Sequence, residues 1–208
     1  LELLNAFWLE PLILRGPAIF YAADIFQWII VPGMVWAFIL RATPIKPKEY
    51  GFPELDSPSL ISAAQALSVA LLLWLAYKPT FIIAYRWFWP YAETTGYGAI
   101  IPKLFPWNIL TGLYFSATAA VVEETVFRGL PWLYFSCFLS PARRAIWYLA
   151  LTPLLFAACH SEQGPHGVIA AWAYGLAAAM LYARLRNLWP LIFGHFLIDM
   201  IEFWPKAT

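Results

Sequence analysis

Residues 107–139, WNILTGLYFSATAAVVEETVFRGLPWLYFSCFL, run for thirty-three positions with three charges, Glu123, Glu124 and Arg128. A helix rises about 1.5 Å per residue and a hydrocarbon core is roughly 30 Å thick, so about 20 apolar residues cross it. The stretch is too long for one perpendicular crossing. It predicts a tilted helix that bends near Pro131 or runs on along the interface. Five further apolar runs accompany it, at 18–40, 60–77, 145–160, 167–183 and 188–204. Backbone groups in lipid must be satisfied within helices. The fold class that follows is all-α: a polytopic transmembrane helical bundle of about six spans plus interfacial helices, with residues 1–208 forming a single integral membrane domain.

Composition supports this reading. Hydrophobic residues make up 62% of the 208 and charged residues 12%, about half the share of a soluble domain. Twelve Trp, eleven Tyr and sixteen Phe exceed what one soluble core of this length could hide. Thirteen Lys and Arg balance twelve Asp and Glu without a basic tract, which excludes a nucleic-acid-binding module. Two cysteines, Cys137 and Cys159, both in apolar runs, are expected to pack there and exclude a disulfide scaffold. No cleavable signal peptide is visible, and the chain opens at Leu1 without a methionine, which leaves room for preceding sequence.

The remaining segments read as interface and loop. Residues 1–14 are apolar but broken by Glu2, Glu10 and Pro11, as in an interfacial helix. Residues 41–59 carry four prolines and five charged side chains after Arg41 and form the one soluble-looking loop. Residues 78–106 hold Tyr85, Trp87, Trp89, Tyr91 and Tyr97 among prolines and charges, which suits the headgroup level. With six spans, Arg41, Lys46, Lys48, Arg143, Arg144, Arg184 and Arg186 fall on one side. The larger set marks the cytoplasmic face.

Ionisable groups within a span cost a few kcal/mol each and are functional candidates by default. They concentrate in three places. Glu123 and Glu124 are offset by about 100° on a helix, so Glu124 can pair with Arg128 at i, i+4 while Glu123 faces elsewhere. A charged helix end at the interface is the alternative. His160 closes an apolar run one turn after Phe156, and His195 and Asp199 stand at i, i+4 on the last helix. Packed structural hydrogen bonds are the alternative for these. His166, between Pro165 and Gly167, is expected to be solvated in a loop. By helical rise, Glu123 lies roughly 24 Å from the cytoplasmic end of its helix and His160 roughly 24 Å from Arg144. His195 and Asp199 fall roughly 12 and 18 Å from Asn187, depths compatible with convergence.

Glu123-Glu124-Thr125-Val126-Phe127-Arg128, then Phe156-Ala157-Ala158-Cys159-His160, then His195-Phe196-Leu197-Ile198-Asp199 appear in order on successive apolar helices. This set resembles the CPBP group, the CAAX protease and bacteriocin-processing (Abi) intramembrane proteases related to type II CAAX prenyl endopeptidases. The resemblance covers roughly residues 107–204, the motif-bearing catalytic half. Eukaryotic CAAX enzymes carry Asn where this chain has Asp199.

The resemblance implies an intramembrane endopeptidase of glutamic type, with Glu123 and His160 activating water and His195 and Asp199 on the oxyanion side. Glu124, Arg128 and Phe156 would support them. A carboxylate beside an imidazole can serve as general base. An ionised Asp199 would repel an oxyanion, so Asp199 is expected either to be protonated or to orient His195. No cofactor is expected. The zinc alternative uses Glu123, His160 and His195 as ligands, although the chain lacks the i, i+4 His pair of most protease zinc sites. A non-catalytic membrane scaffold or immunity protein is the alternative of another class. The expected partners are the lipid bilayer and a membrane-anchored protein or peptide, cut at a C-terminal sorting tail, a leader or a CAAX-like tail. The short chain fits a prokaryotic enzyme of the cell (inner) membrane.

Overall fold

The computed structural model describes residues 15–54, 60–90 and 101–204. The interfacial helix expected over residues 1–14 lies outside them, as do residues 55–59 of the loop and 91–100 of the aromatic stretch. Among the described residues the regular structure is entirely helical.

Helix α1 spans Pro17–Ala42 and is interrupted by a π turn at Phe26–Ile30. Helix α2 spans Leu60–Trp87. Helix α3, Trp107–Glu124, passes through a second π turn, Thr125–Gly129, into α4, Leu130–Phe138. Helices α5, Pro141–Ala158, α6, Gly164–Leu185, and α7, Trp189–Phe203, complete the bundle. All six expected spans are helical. Three stretches, Pro17–Ala42, Ser62–Trp87 and Ser161–Leu185, are long and apolar enough to cross a bilayer. The chain is an integral membrane protein.

Four expectations shift. Helix α2 does not stop at Tyr77 but continues through Lys78 and Pro79 to Trp87. Lys78 can remain helical at this depth because Glu202 of α7 neutralises it. The irregularity in the long motif helix falls on Thr125–Gly129, one turn before Pro131. His166 is no solvated loop residue. It is buried in the first turn of α6, edge-on to the rings of Phe81 at 4.8 Å and Tyr85 at 5.2 Å. Of the two cysteines, Cys159 is buried as expected and Cys137 is exposed on α4.

Helix α6 is the centre of the bundle, packed on α2 and α5, while α7 lies against α2 and α3. Leu73, Tyr148, Ala178 and Leu191 bring four helices into one core. Small residues set the close approaches, as expected where helices associate by packing rather than by the hydrophobic effect. A Cβ on Gly194 would stand 3.0 Å from the Ala70 Cα, so α7 meets α2 there almost backbone to backbone, next to His195.

At one end of the bundle, Arg144 and Arg186 both cover the Trp132 ring, at 4.7 and 4.2 Å. The loop after α1 folds back against this end. Leu188 N–H donates to the Gly51 carbonyl at 2.7 Å, and Tyr182 Oη donates to the Tyr50 carbonyl at 3.2 Å.

Helix α1 meets α3 through its first half and π turn, and meets the loop that follows it through its second half. Phe20 is buried against Phe115, and Trp36 packs edge-on against Tyr50. Between these contacts an apolar groove of about 750 Å³ opens between α1 and α3. Outward-facing Met34, Phe38 and Leu40 of α1 are exposed, the expected state of a lipid-facing surface.

Candidate active site

Glu123 and Glu124 end α3 at the point where the π turn begins. Such turns disturb the helical ladder and are frequent at functional sites. The angular offset between adjacent helical residues sends the two carboxylates to different surroundings.

Glu124 is fully buried and joins three helices. It accepts hydrogen bonds from Tyr174 Oη of α6 at 3.0 Å and from His195 Nδ1 of α7 at 2.8 Å. Arg128 Nε lies 3.2 Å from its other oxygen. The guanidinium of Arg128 is also buried, and its Nη atoms have no hydrogen-bond partner among the described residues. Aromatic faces take that role, Phe156 at 4.3 Å and Tyr174 at 5.4 Å from the guanidinium carbon. A desolvated cation gains about 2 kcal/mol or more from such a face. Glu124 and Arg128 are therefore not a charged helix end at the interface. They are the buried anchor of the bundle.

Glu123 faces the other way. Its carboxylate approaches His195 Nε2 at 3.7 Å, and Asp199 approaches the same nitrogen at 3.5 Å. Both separations exceed a hydrogen bond. His195 is thus held through Nδ1 by Glu124, with Nε2 turned toward Glu123 and Asp199. The hydrogen bond that orients this imidazole comes from Glu124, a residue expected only to partner Arg128. Asp199 stands nearby at ion-pair range.

His160 sits just past the C-terminus of α5. Its Nδ1 donates to the Phe156 carbonyl at 2.8 Å, and its ring lies 4.5 Å from the Phe156 ring. Nε2 is then the nitrogen left to face outward. Phe156 has two tasks, carrying the Arg128 guanidinium on its ring and fixing the His160 tautomer through its carbonyl.

Glu123, His160, His195 and Asp199 line one cavity of about 100 Å³. Glu124, Arg128 and Phe156 stand behind it and do not line it. Trp28, Thr118 and Cys159 line both this cavity and the apolar groove, so the polar site adjoins a lipid-facing cleft. A smaller cavity of about 60 Å³ lies on the far side of His195 and Asp199, against Tyr77 and Glu202. Among the described residues, no three His, Cys, Asp or Glu side chains are grouped to hold a metal ion.

Three residues escaped the sequence reading. Tyr174 donates to Glu124 from inside an alanine-rich helix, and nothing in its local sequence sets it apart from a packed tyrosine. Asp24 of α1 and Glu162 of the turn after His160 line the same cavity as Glu123 and His160. Asp24 carried a signal, since it is an acidic side chain in the middle of an apolar span.

Residues 105–201 match the family model of type II CAAX prenyl endopeptidase Rce1-like proteins. This segment, just under half of the chain, is similar to the Rce1-like family. No curated protein and no solved structure matches the chain. The Rce1-like segment begins two residues ahead of α3 and ends inside α7, so it contains every motif residue named above. Helices α1 and α2 stand outside it, and with them Asp24.

Proposed function

We propose that the chain is an intramembrane endopeptidase of glutamic type, and that no metal takes part. Glu123, with the outward nitrogen of His160, draws a proton from a water molecule. The water oxygen attacks the scissile carbonyl carbon, and the oxyanion that forms is met by His195 Nε2–H with Asp199 beside it. Collapse of the adduct breaks the C–N bond, and Glu123 returns its proton to the leaving amine. The products are a carboxylate and an amine, and no redox partner is needed. General acid–base work of this kind contributes about 10²–10⁴-fold. A preorganised oxyanion donor in a dry site contributes about as much again.

The observation that carries the reading is the meeting of Glu123, His160, His195 and Asp199, from two helices and the turn after a third, on a single cavity beside an apolar groove. The groove suits the membrane-embedded part of a substrate, a C-terminal sorting tail, a leader or a CAAX-like tail. The match over residues 105–201 to a family named for endopeptidases supports the same reaction. The site lies in the half of the bundle away from Arg144 and Arg186, so cleavage belongs to the extracytoplasmic leaflet of a prokaryotic cell membrane. Labelling of Gln163→Cys from outside intact cells, with Ala142→Cys protected, is expected; the reverse pattern would turn the enzyme over.

The test is reconstitution of the purified protein in liposomes with membrane-anchored reporter peptides, with products identified by mass spectrometry. Cleavage lost in His160→Ala and insensitive to EDTA or 1,10-phenanthroline is the expected result. Chelator inhibition reversed by zinc would instead make Glu123, His160 and His195 metal ligands. No cleavage of any reporter would favour a binding scaffold.

A further inference from the structure

We infer that Asp24 and Glu162 form a subsite for a cationic side chain of the substrate, a lysine or arginine next to the scissile bond. The inference rests on the endopeptidase reading and names its substrate class.

Among the described residues, the cavity is lined by Asp24, Glu123, Glu162 and Asp199, and by no lysine or arginine. Two of these carboxylates belong to the water-activating and oxyanion machinery. Asp24 and Glu162 have no part in it, yet each is held toward the same space. Glu162 is 9% exposed, and its Oε2 has no hydrogen-bond partner among the described residues. A buried carboxylate oxygen without a donor is costly, so it calls for a partner that arrives with the ligand.

The turn that carries Glu162 is built to hold it. Ser161–Gln163 forms a 3₁₀ turn closed by Gln163 N–H donating to the His160 carbonyl at 3.0 Å. Gly164 then takes φ 72°, a conformation that lets α6 start at once. The same turn thus fixes the acidic side chain two residues after the catalytic His160.

Asp24 comes from the opposite wall, on α1. Tyr114 Oη of α3 donates to its Oδ2 at 2.7 Å, which fixes the carboxylate at the cavity instead of toward lipid. Two cations of the bundle, Arg128 and Lys78, are committed elsewhere. Arg128 is shut behind Glu124 and Phe156, and Lys78 is paired with Glu202. No lysine or arginine among the described residues lines the cavity, which leaves Asp24 and Glu162 to a positive charge carried by the substrate. A free C-terminal carboxylate next to the cut would meet four acidic groups and, among the described lining residues, no lysine or arginine. Because α1 lies outside the Rce1-like segment, this preference is set partly by a portion of the chain that the family match does not cover.

The experiment uses three quenched fluorescent peptides on one membrane anchor, identical except for lysine, norleucine or glutamate beside the scissile bond. The reconstituted parent should cleave the lysine peptide with kcat/KM about tenfold above the norleucine peptide, and the glutamate peptide least. The lysine-to-norleucine ratio should fall toward one in Glu162→Gln and in Asp24→Asn, and Asp24→Lys should shift preference toward glutamate. Each ratio is internal to one variant, so loss of yield in either leaves the other decisive. A parent ratio near one, or a ratio unchanged in both neutral variants, overturns the subsite. If no peptide is cut, the endopeptidase reading fails, and equilibrium binding of the same labelled peptides decides. Lysine-selective binding lost in Glu162→Gln keeps the subsite, and equal binding of all three peptides removes it.

Discussion

The two faces of His195 differ more than their sequence neighbours suggest. On the Nδ1 side lies a closed cluster, with Glu124 and Arg128 fully buried, Tyr174 donating, and Phe156 covering the guanidinium. On the Nε2 side lies an open one, where Glu123 and Asp199 stand 3.7 and 3.5 Å away and share a cavity with His160. Two adjacent glutamates serve the two faces. Glu124 has partners on three elements, with Tyr174 and His195 donating to one oxygen and Arg128 paired with the other, so its carboxylate ties the helices together. Glu123 stands 3.7 Å from His195 Nε2, and its side chain lines the cavity shared with His160 and Asp199. Position on the helix, not residue type, separates the buried anchor from the cavity-lining glutamate proposed to activate water.

The comparison breaks most visibly through the anchor. Arg128→Ala leaves Glu124 buried without its guanidinium, and losing one partner of a buried pair costs about 3–5 kcal/mol. Thermal unfolding in detergent should show a large loss of stability and yield, whereas a parent-like transition would mean that Tyr174 and His195 suffice. Tyr174→Phe removes one of the three donors and keeps the ring that covers Arg128. It should cost about 1 kcal/mol, the scale of interhelical hydrogen bonds in membranes, and lower turnover through a less well-fixed His195. Asp199→Asn touches only the open side and keeps the volume. Turnover should stay near that of the parent in a steady-state assay, while Asp199→Ala, which removes the polar group, should be impaired. Equal activity of Asp199→Ala and the parent would take Asp199 out of the site.

The helices were legible in the sequence because lipid permits only long apolar runs, and each of the six runs is helical. What was misread depended on distant partners. Lys78 and Pro79 look like the end of a span, and only Glu202, far along the chain on α7, shows why α2 continues to Trp87. His166 looks like a loop residue beside Pro165 and Gly167, but Phe81 and Tyr85 of α2 enclose it. The site residues were legible as intramembrane charge, and their order on three helices named the set. Their division of labour was not. The i, i+4 rule paired His195 with Asp199 within one helix, whereas the hydrogen bond that fixes the ring crosses from α7 to Glu124 of α3. Asp24 obeyed the same rule of intramembrane cost and was passed over because it stood alone in its run. Tyr174 offered no such signal.

The most direct measurement of the division between the two glutamates is the single substitution Glu123→Gln, read by peptide turnover in liposomes and by thermal unfolding on the same preparation. The account predicts turnover reduced by about 10²-fold or more, with an unfolding transition close to that of the parent, because the amide keeps the volume and the Glu124 cluster is untouched. Near-normal turnover in a folded Glu123→Gln protein would contradict it.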